Sequence, residues 1–193
     1  MSWAFTPTVL PEVVLIDPPC FGDERGFFME SWHAGAFAEA GLDLRFAQEG
    51  HSRSARGVLR GIHYQADPAP MGKLVRCTAG RIFDVAVDLR AGSPRFGRAV
   101  TIELSAANRR LLWVPEGFGH AFQSLADASE VQYKMTAFYT PSAEGAIAWN
   151  DPDVGIDWPE PAPILSPRDS AAPSLRGYLA APRFHLHRTA DRR

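Results

Sequence analysis

Two histidine-containing segments constrain the fold of this chain more than any other feature of its sequence. The first runs from Gly57 to Gln65, with five residues between Gly57 and His63, and the second runs from Pro115 to His120 in the pattern Pro-x-Gly-x-x-His. Elsewhere, sixteen glycines and sixteen prolines separate many short apolar runs. Short apolar runs bounded in this way are typical of strands in a β-sandwich or barrel. The chain is therefore predicted to be mainly β, with His63 on one of its strands.

The spacing within these two segments resembles the two-part sequence signature of the cupins. This resemblance implies a cupin-like double-stranded β-helix (jelly-roll barrel) with a few short helices. In metal-binding cupins a second histidine follows the first by two residues, and a glutamate lies beyond it. Here Gln65 takes the second position, and the next acidic residue is Asp67 in a proline-rich turn. We therefore predict a barrel that uses histidine as a base and has no metal site.

Alternating apolar residues locate the strands more closely. Phe83–Leu89 and Val131–Met135 each alternate with period two, which predicts strands with one polar face. Leu111–Val114 and Ala121–Leu125 are interpreted as further strands.

Turn and capping residues predict two local structures. The strand Leu74–Thr78 leads through Gly80 into the next strand, which predicts a hairpin. A helix is predicted over Ala34–Ala40, with Ser31 capping its start and Gly41 ending it.

The length of 193 residues suits one domain. After about Asp151 the pattern weakens into proline-rich loops, and the basic segment Arg183–Arg193 is predicted to be a solvated tail. The predicted division of the single domain, residues 1–193, is an N-terminal arm over 1–44, a barrel core over about 45–140, and C-terminal loops and tail over 141–193.

Composition argues against several classes of partner. The net charge of −2 gives no broad basic field for nucleic acid or an anionic membrane. No apolar run approaches the roughly 20 residues that span a bilayer. The first residues lack the basic start and apolar core of a signal peptide. Cys20 and Cys77 lack metal-type spacing, and we expect both to be reduced and structural. We expect a cytoplasmic protein.

The residues around His63 allow two interpretations. A lone histidine in a strand is most often a hydrogen-bonded core residue. Arg60 and Lys73, however, bring two cations close to it in sequence. A ketone or phosphate ligand would explain cations that point into a cavity, and an exposed face would explain them equally well.

Four other candidate residues also allow both a functional and a structural interpretation. Tyr133 and Tyr139 both point inward if their strand is unbroken, although tyrosine is also common in strands for its β-propensity. Asp169 is either a loop carboxylate with a role or a turn residue. His120 is either a structural relic of a metal site or a donor to phosphate.

From about Thr6 to Leu175 the chain resembles the dTDP-4-dehydrorhamnose 3,5-epimerase family. The matching segments occur in order along the chain: Asp23–Glu30, Gln48–Ser54, Gly57–Gln65, Gly72–Arg76, Phe83–Arg90, Pro115–His120, Tyr133–Lys134, Tyr139, Trp149–Pro152 and Leu165–Asp169.

The resemblance implies a homodimeric isomerase without metal or cofactor. Its substrate would be a thymidine diphosphate (dTDP) 4-keto-6-deoxyhexose, epimerised at C3 and C5 through an enolate. By position, His63 corresponds to the general base, Asp169 to its carboxylate partner, Tyr133 to the proton donor on the opposite face and Lys73 to the enolate-stabilising cation. Tyr139 corresponds to the thymine-stacking residue. The remaining substrate contacts correspond to Arg25, Glu30, Gln48, Gly50 (through its backbone), Arg60, His120, Glu144 and Arg168. The family fold also implies a dimer whose N-terminal segments cross to the partner barrel.

Departures from the family pattern leave alternatives open. The family usually has Asp-Asn after the glutamine, where this chain has Glu49 and Gly50. Met71 replaces a usual Gln, and Arg168 replaces a usual Lys while keeping its charge. The family's Ala-His-Gly appears here as Gly-His-Ala at 119–121. An enzyme that inverts only C3 or only C5 of a secondary-metabolite sugar is therefore an alternative. More distant alternatives are a metal-dependent cupin oxygenase and a ligand-binding protein that has lost catalysis.

Overall fold

The computed structural model of the chain describes residues 2–186. Most of its regular elements are short strands, and the three α-helices have only four to six residues each. In chain order the strands are β1 Ala4–Pro7, β2 Val14–Asp17, β3 Cys20–Asp23, β4 Gly26–Met29, β5 Gln48–Ser54, β6 Leu59–Gln65, β7 Lys73–Ala79, β8 Arg81–Asp88, β9 Arg90–Ala91, β10 Ala99–Ser105, β11 Leu111–Val114, β12 Phe118–Ser124, β13 Ser129–Met135, β14 Glu144–Ala146 and β15 Phe184–His185. The helices are α1 Ala34–Glu39, α2 Pro167–Ser170 and α3 Leu175–Ala180, with a 3₁₀ turn at Pro141–Ala143.

Two antiparallel sheets form the body of the molecule. The larger sheet has six strands in the order β1-β2-β11-β7-β13-β5, and the smaller has five in the order β10-β8-β12-β6-β14. From β5 to β8, and again from β10 to β14, successive strands alternate between the two sheets, as they do in a jelly roll. The predicted mainly β, cupin-like double-stranded β-helix with a few short helices is confirmed.

Apolar residues fill three layers, so both sheets are covered on both faces. The central layer, which includes Val75, Ala86 and Phe122, lies between the sheets. A second layer packs the C-terminal segment against the five-stranded sheet. A third packs the aromatic N-terminal segment, including Phe37, against the six-stranded sheet. Because of this double coverage every residue of β12 is buried.

The predicted hairpin at Gly80 is wrong. The strand β7 pairs with β11 and β13 in the six-stranded sheet, whereas β8 pairs with β10 and β12 in the other. Gly80 has a φ of +69° and carries the chain from one sheet to the facing one. A Cβ at this position would lie 2.9 Å from Oγ of Ser129, so a side chain would not fit the turn.

The predicted helix at Ala34–Ala40 is present, but its predicted cap is wrong. Helix α1 begins after His33, whose Nδ1 accepts a hydrogen bond of 3.1 Å from the amide of Ala36. Ser31 lies too far upstream to cap this turn. Gly41 follows the helix with a φ of +82°, a conformation that glycine adopts readily.

The C-terminal region is more ordered than its sequence pattern predicted. It contains α2 and α3, and Phe184 and His185 form a parallel pair with β9. The ring of Phe184 lies 5.6 Å from that of Tyr64. The solvated-tail prediction for Arg183–Arg193 is therefore wrong for its first residues, and residues 187–193 lie outside the described range. None of the helices within residues 2–186 is long and apolar enough to cross a membrane.

Candidate active site

A cavity of about 400 Å³ lies between the two sheets. Both sheets and the C-terminal segment contribute to its wall. The predicted site residues that line it are Gln48, Gly50, Arg60, His63, Lys73, His120, Tyr133, Tyr139, Glu144, Arg168 and Asp169. The other lining residues are Tyr64, Gln65, Met71, Phe122, Met135 and Ser166.

The register of β6 and β12 places two histidines side by side in this wall. His63 lies directly opposite His120 across the strand pair, and the register then shifts before Phe122 pairs with Arg60. In an unbroken strand, positions 60 and 63 would point to opposite faces. The irregularity between them allows both side chains to reach the cavity.

His63 and Asp169 form a dyad. Nε2 of His63 lies 2.5 Å from Oδ1 of Asp169, and the carboxylate side chain is only 4% exposed. Helix α2 holds Asp169 in place, because Oγ of Ser166 caps the helix by accepting a hydrogen bond from the Asp169 amide. Burial alone would raise the pKa of Asp169. The hydrogen bond and charge of His63, with Ser166 and Arg168, outweigh burial and lower that pKa overall.

Lys73 and Tyr133 reach the cavity from the facing, six-stranded sheet. Burial lowers the pKa of Lys73, and the negative charges of Glu144 and Asp84 partly oppose this effect. Within residues 2–186, no protein group forms an ion pair or hydrogen bond with the Lys73 ammonium. The cavity thus has a histidine–carboxylate pair on one wall and a cation with a phenol on the other.

Asp84, which the sequence analysis did not single out, forms a second dyad. Nε2 of His120 lies 2.8 Å from its Oδ1, and both side chains are buried. Its Oδ2 is buried and has no hydrogen-bond partner among the described residues 2–186. The alternation in Phe83–Leu89 had placed Asp84 on a polar strand face, but that face points between the two sheets. The sequence did contain a signal that could have identified Asp84. It is an acidic residue in a strand that a barrel would cover on both faces.

Tyr139, Glu144 and Arg168 form a hydrogen-bonded group with Gln48 at the cavity wall. The Tyr139 hydroxyl donates to Oε2 of Glu144 at 2.6 Å, and Arg168 pairs with the same oxygen at 2.7 Å. The Tyr139 amide donates to Oε1 of Gln48 at 2.9 Å. The bond to Glu144 raises the pKa of Tyr139. Tyr139 is 52% exposed, which leaves its side chain accessible to an aromatic ligand.

The route by which Tyr139 reaches the cavity differs from the prediction. The strand β13 ends at Met135, so Tyr139 does not share an unbroken strand face with Tyr133. It lies in the following loop, which its bond to Gln48 ties back to β5.

Gln65, at the second position of the metal motif, supports the local backbone. Its Nε2 donates to the carbonyls of Ala69 and Phe138, and its Oε1 accepts from the amide of Thr140. These bonds occupy its amide and hold the loop that carries Tyr139. In the part of the chain that the structure describes, no three His, Cys, Asp or Glu side chains form a group that could hold a metal ion.

Arg25 and Glu30 do not line the cavity of their own chain. Arg25 lies at the turn of the β3–β4 hairpin, pairs with Asp23, and has a side chain that is 85% exposed. Glu30 follows β4. This hairpin forms a sheet of its own, separate from the two main sheets.

Comparison with known proteins agrees with this architecture. The profile of the family described as dTDP-4-dehydrorhamnose 3,5-epimerase matches residues 7–177. The protein of that name from Pseudomonas aeruginosa is 54% identical, over 85% of this chain and 91% of its own length. Its namesake from Salmonella typhimurium is 51% identical, over 87% and 93%.

A solved structure extends the likeness to three dimensions. The dTDP-6-deoxy-D-glucose-3,5-epimerase of Legionella pneumophila, in complex with dTDP-4-keto-L-rhamnose, has a TM-score of 0.92 and 43% identity. The match covers 96% of this chain and 100% of the Legionella chain. Together with the profile match and the cavity described above, these similarities show that the chain belongs to the dTDP-4-dehydrorhamnose 3,5-epimerase family of isomerases.

Proposed function

We propose that the protein epimerises a dTDP-4-keto-6-deoxyhexose at C3 and C5 by removing a proton and returning one through an enolate. The observation that carries this proposal is the arrangement of its cavity. The His63–Asp169 dyad stands on the five-stranded side, and Tyr133 with Lys73 stands on the six-stranded side. Inverting a carbon beside a ketone requires a base and an acid on opposite faces of the sugar, and this arrangement provides both.

His63 acts as the base. A histidine is available as a neutral base near pH 7 because its ordinary pKa is about 6.5. Asp169 holds Nε2 of His63, which leaves Nδ1 to take the substrate proton. The lowered pKa of Asp169 keeps this carboxylate ionised, so it stabilises the imidazolium that forms.

Lys73 and Tyr133 complete the reaction from the other wall. Proton removal turns the C4 ketone into an enolate oxyanion, and a fixed cation in a water-poor cavity stabilises that charge as it develops. Lys73 has no protein partner within residues 2–186 and is therefore available for this oxygen. Tyr133 then donates its hydroxyl proton to the opposite face of the carbon.

The other cavity residues bind the nucleotide. Arg60 and Arg168 suit the diphosphate because a guanidinium can donate to two oxygens at once. His120 adds a donor beside them, and Gln48 and Glu144 hold the loop and ring of Tyr139. The exposed face of Tyr139 stacks on the thymine. Gly50 contributes its backbone.

The N-terminal hairpin is best explained by a homodimer. Phe21, Phe27 and Phe28 of this hairpin are 53%, 56% and 66% exposed, which is costly for large apolar side chains in a monomer. Crossing to a second barrel would bury them and would carry Arg25 and Glu30 to the cavity of the partner. Nothing in the reaction requires a metal or a cofactor.

Incubation in heavy water tests this function directly. The purified protein is given dTDP-4-keto-6-deoxyglucose in deuterium oxide, and NMR locates deuterium and configuration at C3 and C5 separately. We expect deuterium and inversion at both carbons, with full activity retained in EDTA. Deuterium at one carbon alone would instead indicate a single-position epimerase, and no exchange at either would contradict the proposal.

A further inference from the structure

We infer that Ser54 is a positioning residue for Arg60, and that it orients the guanidinium for the diphosphate before the nucleotide binds. This inference rests on the proposed function, in which Arg60 contacts the diphosphate. It adds a residue that acts on binding without touching the ligand, because Arg60 lines the cavity and Ser54 is not among the residues that do.

A hydrogen bond joins these two side chains across the two sheets. Nε of Arg60 donates to Oγ of Ser54 at 3.1 Å, and Nη2 donates to the carbonyl of Arg53 at 3.4 Å. Ser54 ends β5 in the six-stranded sheet, whereas Arg60 lies on β6 in the five-stranded sheet. The acceptors that fix the guanidinium therefore stand on the sheet that faces its own.

Ser54 has little freedom of its own. It is 4% exposed, and it lies opposite Ser129 in the pairing of β5 with β13. Its carbonyl also accepts a hydrogen bond of 3.4 Å from Oγ of Ser124. A buried hydroxyl on a paired strand is a fixed acceptor, so Ser54 can hold the long Arg60 side chain in one direction.

This bond orients Arg60 without neutralising it. Within residues 2–186, Arg60 forms no ion pair with a carboxylate, whereas Arg168 pairs with Glu144. A guanidinium has five N–H donors, and the bonds to Ser54 and Arg53 use only one on Nε and one on Nη2. The donors of Nη1 and the second one of Nη2 are left for phosphate oxygens.

The expected gain is in affinity, because the guanidinium is held before the ligand arrives. Immobilising a long, flexible side chain during binding weakens affinity by about two- to tenfold, and a contact that orders the side chain beforehand removes this loss. Removing the Ser54 hydroxyl should therefore weaken binding of the diphosphate and leave the chemistry at His63 and Tyr133 unchanged.

The test compares dTDP with thymidine as ligands of Ser54→Ala. We expect the Kd for dTDP and the KM for the sugar nucleotide to rise about three- to tenfold, with kcat within about twofold of wild type. The Kd for thymidine should not change, because thymidine has no phosphate for Arg60 to bind.

Ser105→Ala is the matched control. Ser105 is also buried, at 5% exposed, and its Oγ accepts a hydrogen bond of 3.1 Å from the amide of Asn108. It is not among the residues that line the cavity. Losing this buried hydroxyl should lower the melting temperature without changing either Kd.

A double-mutant cycle shows whether the effect passes through Arg60. Arg60→Ala should itself raise the Kd for dTDP by about tenfold or more, and adding Ser54→Ala should raise it no further. If Ser54→Ala does not fold, Ser54→Thr and Ser54→Val replace it, because the two side chains have nearly the same shape and only threonine keeps the hydroxyl. Ser54→Val should then bind dTDP about three- to tenfold more weakly than Ser54→Thr.

Four results would overturn the inference. They are a wild-type Kd for dTDP in Ser54→Ala, or equal values in the threonine and valine variants; an equal loss for dTDP and thymidine; a wild-type Kd for dTDP in Arg60→Ala; and an effect of Ser54→Ala that persists in the Arg60→Ala background. Failure of the proposed function gives a different result, because the wild-type protein would then show neither exchange nor inversion.

Discussion

At the scale of single residues, the cavity contains two histidine–aspartate pairs in different surroundings. His63 is 25% exposed, whereas His120, which also lines the cavity, and its partner Asp84 are almost fully buried. Buried carboxylates are costly unless their charge is compensated. Asp84 acts on both His120, through a hydrogen bond, and the half-buried Lys73, through its negative charge. We expect Asp84 to help keep Lys73 protonated at neutral pH.

The pH dependence of exchange should reveal the surroundings of Lys73. Burial lowers its pKa below the ordinary 10.5, despite the opposing charges of Glu144 and Asp84. Only the protonated lysine stabilises the enolate, so exchange should decline as pH rises through this lowered pKa. Deuterium exchange is measured in Tyr133→Phe so that the Tyr133 hydroxyl does not contribute to the profile, and circular dichroism confirms that the fold persists. An alkaline limb at or above pH 10.5 would contradict the assignment.

At the scale of elements, the sequence predicted where strands and helices lie better than it predicted which strands pair. The prediction that His63 lies on a strand is confirmed by β6, because the glycine and histidine spacing is a local motif. The hairpin at Gly80 was wrong because the choice of partner strands for β7 and β8 depends on the closure of the whole barrel. Helix α2 had a readable start, Ser166 followed by Pro167, but the proline-rich surroundings obscured it.

In the active site, too, local motifs identified candidate residues, whereas long-range contacts determine how those residues reach the cavity. Arg60 and His63 were predicted together from the motif, but only the irregularity opposite β12 explains how both reach the cavity. Tyr139 reaches it by a loop that Gln65 and Gln48 hold, through long-range contacts that no periodicity reveals.

At the scale of the whole molecule, the proposed dimer would complete each cavity with residues from the other chain. The hairpin β3–β4 is separate from both main sheets and exposes three phenylalanines, while the predicted ligand contacts Arg25 and Glu30 lie away from the cavity of their own chain. An arm that exchanges between two copies accounts for all of these observations.

Mixing two impaired variants tests this exchange. His63→Asn removes the base, and Arg25→Ala removes an arm contact, with an expected loss of about 10-fold or more in kcat/KM. In a mixed dimer with crossing arms, one cavity carries both changes and the other carries neither. Unfolding and refolding the two variants together should thus restore about a quarter of the wild-type sites. Activity no higher than the sum of the separate variants would show that each arm serves its own chain, and refolded single variants are the control.

The most direct test of the account compares His63→Asn with Tyr133→Phe in heavy water, with deuterium and configuration measured by NMR at both carbons. His63→Asn should lose exchange and inversion together, by roughly 10²–10⁴-fold, because nothing else removes the proton. Tyr133→Phe should retain exchange while losing most of its inversion, because His63 can still return a solvent deuteron to the face from which it took the proton. Binding of dTDP should persist in both. Inversion at near wild-type rate in Tyr133→Phe, or exchange above about a tenth of wild type in His63→Asn, would contradict proton transfer between opposite walls.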